Sequence, residues 1–338
     1  MGDPCGAGWK ILQKLLGNQS KFFNPGQSKK LSELVIIGDL FESEEKIIKK
    51  LFHIISFEIN PSDNHDKLIE LILNEKSDKP LFIALTREKS STLSPSLHLA
   101  ERSYFYFITA MQLWKNLSNS SLVTLPVSKE LIIKSGHQFS GHTEEIERLW
   151  NKKGFMCMYH PELSIIPLTN HVPLRKVPDL ITRLDKASLL QSLLFFQGLF
   201  KPKRKTGLTG LNPHAGEDGT IGTEESYLKS TIMYMKKEKL AIEGPLSADA
   251  AFLPGNRKNF NLIIACYHDQ ALIPFKALYG AEGLNITLNM PKLRVSPDHG
   301  PAYDCVAQNK CDTESVFRSI LFAMEWGEKW IKQYSFLL

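Results

Sequence analysis

Asn261-Leu262-Ile263-Ile264-Ala265-Cys266-Tyr267-His268-Asp269-Gln270 sets an apolar run rich in branched side chains directly against a polar cluster. A short run of this kind, ending at a polar break, reads as a buried strand. Comparable runs recur at 34–37, 81–85, 121–125 and 164–168, and helical patterns occupy 43–52, 100–117, 143–151, 188–199 and 223–239 between them. Strand alternating with helix predicts an α/β fold with a mainly parallel sheet. At 338 residues the chain exceeds the usual single domain, so two domains sharing a cleft are expected. Residues 24–30, 87–95 and 201–210 read as linker-like stretches, and no internal repeat is present.

A hydrophobic content of 43% with 23% charged residues supplies material for a core and gives no compositional case for disorder. The net charge of +5 is spread over 41 basic and 36 acidic residues beside no nucleic-acid-binding motif, so no nucleic-acid partner is expected. Small anionic substrates remain compatible. Five cysteines without a C-x-x-C pair argue against a disulfide framework and a thiolate zinc knuckle, and fit a reducing cytoplasm. The apolar stretch 189–200 is interrupted by Gln191, Ser192, Gln197 and Gly198, too polar to span a bilayer, and residues 9–16 lack a signal-peptide pattern. A cytoplasmic protein without a membrane partner is the expectation.

Ligands of open α/β sheets collect where strands end, which singles out four polar clusters. Ser140-Gly141-His142-Thr143-Glu144 opens a helix, where free N–H groups and hydroxyls suit a phosphate or carboxylate; an ordinary N-cap by Thr143 is the plainer reading of the same residues. Thr169-Asn170-His171-Val172-Pro173-Leu174-Arg175 follows a strand and can point an imidazole into a cleft, although a lone histidine there is more often structural. Residues 211–225 carry His214 and three glycines at a spacing of three, read as a flexible turn. Glu224 and Glu225 then occupy the first turn of the next helix and favour its dipole. Those carboxylates would repel a phosphate, so a metal or cofactor neighbourhood suits this stretch better. Tyr267-His268-Asp269-Gln270 is the fourth cluster, followed by Lys276, Asn285 and Arg294, which can neutralise and orient a phosphate or stand as solvated charge.

His171, His214 and His268 each sit in a turn after a strand or before a helix and can converge on one divalent ion, although their separation in the chain does not establish it. The chain has no G-x-x-x-x-G-K-[ST], no G-x-S-x-G, and no G-x-G-x-x-G after a strand. Any dinucleotide must bind without the usual fingerprint.

Read together with Gly244-Pro245-Leu246-Ser247-Ala248-Asp249, residues 283–288 and Asp298-His299-Gly300, these clusters resemble, in order and spacing, the 4-hydroxythreonine-4-phosphate dehydrogenase family over nearly the whole chain. The resemblance implies two α/β/α domains around a cleft, as in isocitrate and isopropylmalate dehydrogenases, with 1–130 plus about 300–338 in the first and about 131–299 in the second. It implies a homodimer with the active site at the subunit interface. It makes His171, His214 and His268 the ligands of a divalent metal (Zn, Mg, Co or Mn). His142, Thr143, Lys276, Asn285 and Arg294 then hold a small phosphorylated substrate, with NAD or NADP as cofactor. Asp249, Asp269 and Lys129 lie in matching motifs as candidates for the general base, Asp249 first among them.

The implied reaction oxidises the C3 hydroxyl of 4-phosphohydroxy-L-threonine to a β-keto acid, which decarboxylates to 3-amino-2-oxopropyl phosphate in pyridoxal phosphate biosynthesis. A sister activity on 4-phospho-threonate or 4-phospho-erythronate, or a catalytically weakened metal- and phosphate-binding homologue, fits the same residues. The chain departs from the family pattern at Met1-Gly2-Asp3-Pro4-Cys5-Gly6-Ala7-Gly8-Trp9-Lys10, a segment that the resemblance leads us to expect after a first strand and in which Trp9-Lys10 replaces Pro-Glu. It departs again at Leu125, where glycine is usual, and at Cys305-Val306-Ala307-Gln308-Asn309-Lys310 in place of a glycine-bearing segment.

Overall fold

The computed structural model describes residues 2–41, 44–58, 65–86, 93–308 and 310–337. Among them the strands are β1 (Val35–Gly38), β2 (His53–Glu58), β3 (Leu81–Thr86), β4 (Leu122–Val123), β5 (Phe155–Tyr159), β6 (Ser164–Pro167), β7 (Lys205–Thr209), β8 (Ile242–Leu246), β9 (Phe260–Ala265), β10 (Leu284–Leu288) and β11 (Arg294–Pro297). With the intervening helices they make an α/β protein. The chain divides into two compact units, Met1–Ile146 with Lys292–Glu328, and Glu147–Pro291 with Lys329–Leu338.

In the first unit β1, β3 and β2 form a parallel sheet in that order. The central strand β3 buries Leu81 through Leu85, as a strand covered on both faces must. Its alternating side chains feed two cores. Phe82 and Ala84 join Trp9, Phe52 and Val316, while Ile83 and Leu85 join Leu68 and Tyr106. The strand expected over 121–125 shortens to β4, which pairs in parallel with β11.

Two of the departures from the family pattern become core residues here. Trp9 is 1% exposed, lies 6.3 Å from Phe52 and 5.7 Å from Phe82 between ring centroids, and donates its indole N–H to Glu44 at 2.5 Å. Lys10 pairs with the same carboxylate at 2.6 Å. Leu125 closes over Gly8, where a Cβ would come within 3.0 Å of its side chain.

Three linker-like stretches need correction or delimitation. Residues 24–30 contain the helix Pro25–Lys30, started by a capping box in which Asn24 accepts from the Gln27 amide at 2.9 Å and Gln27 accepts from the Asn24 amide at 3.0 Å. Residues 201–210 contain β7, buried except for Lys205. Of 87–95, residues 87–92 lie outside the described residues, and Pro95 begins the helix Pro95–Asn116. The helical pattern at 43–52 becomes Glu45–Leu51, with Ser43 outside the described residues. Against the expectation from cysteine spacing, Cys305 and Cys311 form a disulfide with Cα atoms 5.0 Å apart, closing one short loop rather than building a framework. Cys5, Cys157 and Cys266 are free.

The second unit holds strands in the order β10-β5-β6-β9-β7-β8. β6, β9, β7 and β8 run parallel, and β5 is antiparallel to both β6 and β10. Its core includes Met158, Ile165, Ile263, Ala265, Ala271 and Phe275. No described helix is long and apolar enough to cross a membrane.

Candidate active site

In the second unit, β6, β9 and β7 are neighbours and parallel, so their carboxyl ends share one edge. That edge carries Thr169-Asn170-His171 after β6, Tyr267-His268-Asp269 after β9, and Gly210 leading to His214 after β7. A cavity of about 270 Å³ opens there, lined by residues that include Thr169, His171, Leu174, Tyr267, His268 and Asp269.

The His171 and His268 rings stand 5.4 Å apart between centroids. Asp269 Oδ1 lies 2.7 Å from His268 Nδ1, which orients that ring and leaves Nε2 for a ligand. The side-chain oxygen of Asn170 is buried without a hydrogen-bond partner, as is that of Asn285 on β10. A buried acceptor of this kind is costly unless a ligand or water satisfies it.

His214 sits in the turn Pro213–Gly219, where residues 214–218 all have positive φ, from 41° to 77°. Only Gly216 adopts that region without a Cβ penalty, so the turn is strained and must be held by its surroundings. Glu225 does this. It is 3% exposed and accepts the Leu211 amide at 3.0 Å and the Asn212 amide at 2.8 Å. Burial raises the Glu225 pKa, and the hydrogen bonds from Asn212 and Leu211 outweigh it to hold the carboxyl below its ordinary value. Glu225 thus anchors the turn, a role that its place at a helix start did not reveal.

Asp249 is exposed in the first turn of the helix Ala248–Ala251, and its carboxylate accepts the Ser247 hydroxyl at 2.5 Å. That bond, then the Ala250 amide and more weakly the charge of His214, lowers its pKa. Lys276 is exposed near the end of the helix His268–Tyr279. Among the described residues no three His, Cys, Asp or Glu side chains are grouped so as to hold a metal ion. The second unit brings His171, His268 and Asp269 together, while His214 acts electrostatically on Asp249.

The remaining candidates belong to the first unit. Arg294, 3% exposed at the start of β11, donates Nε and Nη2 to Thr124 Oγ1 at 3.1 and 2.7 Å. Burial lowers its pKa to about 10, opposed by the charge of Glu144. His142 begins the helix His142–Trp150, with Thr143 next, and lies 4.5 Å from Phe107 and 5.7 Å from Phe139 between centroids. Burial, reinforced by Arg294, pushes the His142 pKa down to about 3, so it is a neutral donor or acceptor at physiological pH. Lys129 is exposed at the start of the helix Lys129–Lys134. The three candidates for the base are thus divided, Lys129 in one unit and Asp249 and Asp269 in the other.

The His142 shift predicts a pH dependence. An unfolded histidine titrates near 6.5, so the folded state resists protonation that the unfolded chain accepts. The stabilisation is present above pH ~6.5 and is lost as pH falls toward the folded value of about 3. Between pH ~7.5 and ~5 this group should cost the wild type up to about 2 kcal/mol. Urea unfolding at both pH values should show that loss shrinking in His142→Asn; an identical pH response in both proteins rejects it.

Comparison with known proteins places these features in one lineage. Residues 32–323 match the family described as pyridoxal phosphate biosynthetic protein PdxA. The chain is 32% identical over 325 residues to a 4-hydroxythreonine-4-phosphate dehydrogenase of Aquifex aeolicus, covering 95% of this chain and 94% of that protein. It is 34% identical over 242 residues to a D-threonate 4-phosphate dehydrogenase of Bordetella bronchiseptica, covering 70% and 69% respectively. Among solved structures, the 4-hydroxythreonine-4-phosphate dehydrogenase of Klebsiella pneumoniae aligns with a TM-score of 0.69 at 25% identity, over 96% of this chain and 97% of that one. With the match spanning both units, the chain belongs to the pyridoxal phosphate biosynthetic protein PdxA family.

Proposed function

We propose that this chain is a divalent-metal-dependent, NAD(P)-linked dehydrogenase. Its substrate on this reading is 4-phosphohydroxy-L-threonine, oxidised at C3 to a β-keto acid that decarboxylates to 3-amino-2-oxopropyl phosphate. The observation that carries the reading is the His171–His268 pair at adjacent strand ends in a chain of this family. Two imidazoles beside a small cavity, one oriented by a carboxylate and near a buried unsatisfied amide oxygen, fit a divalent ion and a polar ligand. For the nicotinamide cofactor the fit rests on His299 in the first unit, whose Nε2 is buried without a partner while Nδ1 lies 2.8 Å from the Gly300 carbonyl oxygen.

When bound, the divalent ion supplies Lewis-acid polarisation of the C3 hydroxyl, and the nicotinamide is the hydride acceptor. His171, His268 and His214 would hold the ion. Asp269 keeps the His268 ring in one orientation through its contact at Nδ1. Asp249, held ionised by Ser247, is the group we assign to accept the hydroxyl proton. In the second unit Lys276 and Asn285, and in the first unit Arg294, Thr143 and neutral His142, are the groups we assign to orient the anionic ends of the substrate. A homodimer completing the site is part of this proposal. It is supported by His171 and His214 being exposed and by the exposed apolar side chains Val172 and Leu174, which line the same cavity as His171.

The decisive assay follows NAD(P)H formation by metal-loaded protein with 4-phosphohydroxy-L-threonine, abolished by chelation and restored by a divalent ion. Absence of turnover in loaded protein rejects the reading. The Bordetella relative supports a second reading, oxidation of 4-phospho-D-threonate. In side-by-side kinetics equal or reversed preference rejects the first reading, and reversed preference assigns the second. Asp269→Asn should weaken divalent-ion binding about 10- to 100-fold, as loss of a ligand-orienting carboxylate does. Titration against a competing chelator measures it, and unchanged affinity removes Asp269 from the orienting role.

A further inference from the structure

The three histidine-bearing turns leave neighbouring strands, and one hydrogen-bonded chain of side chains joins all three strand ends. Thr169 Oγ1, after β6, donates to the carbonyl of Cys266, after β9, at 2.9 Å. The Cys266 amide donates to Gln270 Oε1 at 2.6 Å, and the same oxygen accepts from Thr209 Oγ1, the last residue of β7, at 2.8 Å. Gln270 Nε2 in turn donates to the Gly210 carbonyl at 2.9 Å. Immediately beyond, Glu225 takes the Leu211 and Asn212 amides and the Asn212 side-chain amide, the last at 3.0 Å.

Gln270 makes the two shortest side-chain bonds between the β9 turn and the end of β7, beside the longer Cys266 Sγ to Thr209 carbonyl and Thr209 Oγ1 to Ile264 carbonyl bonds, each at 3.4 Å. Its oxygen accepts twice and its nitrogen donates once, a combination only a carboxamide provides. A glutamate could keep both acceptor bonds but would present an oxygen to the Gly210 carbonyl. A methionine of similar length makes none of the three bonds. Gln270 stands two residues after His268, and Gly210 stands four residues before His214 on a turn whose backbone is strained.

We propose that Gln270 is a positioning residue that holds the His268 turn against the end of β7, and so fixes the place at which His268 meets a divalent ion. This rests on the metal-ligand reading of those histidines given above. Gln270 itself touches no substrate in this role; it acts through the two strand ends it joins.

The test uses the full-length protein and Zn²⁺ alone, titrated against a chromophoric chelator, for wild type, Gln270→Met and Gln270→Glu. Gln270→Met should bind Zn²⁺ about 10- to 100-fold more weakly, in the range of other losses around metal ligands, and Gln270→Glu should fall between it and wild type. Hydrogen exchange is the second readout, with the amides of Cys266, Leu211 and Asn212 exchanging faster in Gln270→Met. Wild-type Zn²⁺ affinity in the methionine variant, even with a lowered melting temperature, overturns the proposal and leaves Gln270 a support of the fold. If Gln270→Met does not fold, undiminished affinity in Gln270→Glu overturns it equally. A wild-type protein that binds no Zn²⁺ overturns the metal reading and this proposal with it, a failure visible before any substitution is made.

Discussion

Alanine at His268, or at His171, is expected to lower kcat/KM for the dehydrogenase reaction roughly a thousand-fold or more while leaving the protein folded. Lewis-acid stabilisation of a developing alkoxide is worth several kcal/mol, and each ~1.4 kcal/mol is tenfold in rate. Truncation should cost little stability, because the His268 side chain is 34% exposed and His171 lies at the surface; changes at such positions usually stay within about 0.5 kcal/mol. The variant must therefore be compared at equal circular dichroism and after metal reloading. Ligand linkage supplies an independent measure, since an ion that binds only the native state raises the melting temperature in proportion to its affinity. Zn²⁺ should raise it in wild type and barely in either variant. Activity within threefold of wild type in both alanine variants would remove the reaction centre. His214→Ala belongs in the same series. His214 is exposed in its turn, and a loss as deep as that of His268→Ala assigns it to the same ion.

The sequence makes the chemistry of these histidines legible but not their arrangement. His171, His214 and His268 appear in separate turns, and no spacing shows that β6, β9 and β7 lie side by side, because their order in the sheet is not their order in the chain. β9 itself is easily read, a branched apolar run closed by a polar turn. β7 is hidden, since Lys-Thr-Gly-Leu-Thr is short, basic at one end and contains glycine; its strand character comes from the neighbours β8 and β9 that bury four of its five residues. β2 escapes detection for the opposite reason. As an edge strand it leaves His53, Ser56 and Glu58 exposed, which interrupts the apolar run. The short helix Pro25–Lys30 did carry signals, Asn24 before Pro25 and Gln27 three residues on, but Gly26 and its brevity make the same stretch look like a linker. Gln270 and Glu225 mark the deeper limit. Gln270 bonds to Thr209 and Gly210, about sixty residues away, and Glu225 to amides 13 and 14 residues back. Such partners become visible only once the strands are placed.

Replacing Asp39 by alanine should destabilise the protein by about 3–5 kcal/mol, the cost of stranding a buried charge. Arg102 is 4% exposed on the helix Pro95–Asn116. Its Nε reaches both Asp39 oxygens at 3.0 and 2.9 Å, and its Nη2 donates to Asp39 and, at 2.6 Å, to the Leu85 carbonyl. Burial works against the guanidinium charge, yet the bonds from Asp39 outweigh it and hold the Arg102 pKa above its usual value. Asp39 directly follows β1 and Leu85 lies near the end of β3, so the pair pins this helix across two parallel strand ends. Asp39→Ala leaves the cation with the Leu85 carbonyl and the Tyr106 ring, whose centroid lies 5.8 Å from the guanidinium carbon. Arg102→Met should cost less, because the Asp39 side chain is 17% exposed and water can reach it. The double variant should recover much of the loss, since an apolar pair in place of a buried ion pair is often neutral. Urea midpoints across the four proteins close the cycle. A loss below about 1 kcal/mol in Asp39→Ala, or strict additivity in the double variant, would show that the helix is held by its apolar face through Tyr106 and Leu113 and that the ion pair adds nothing.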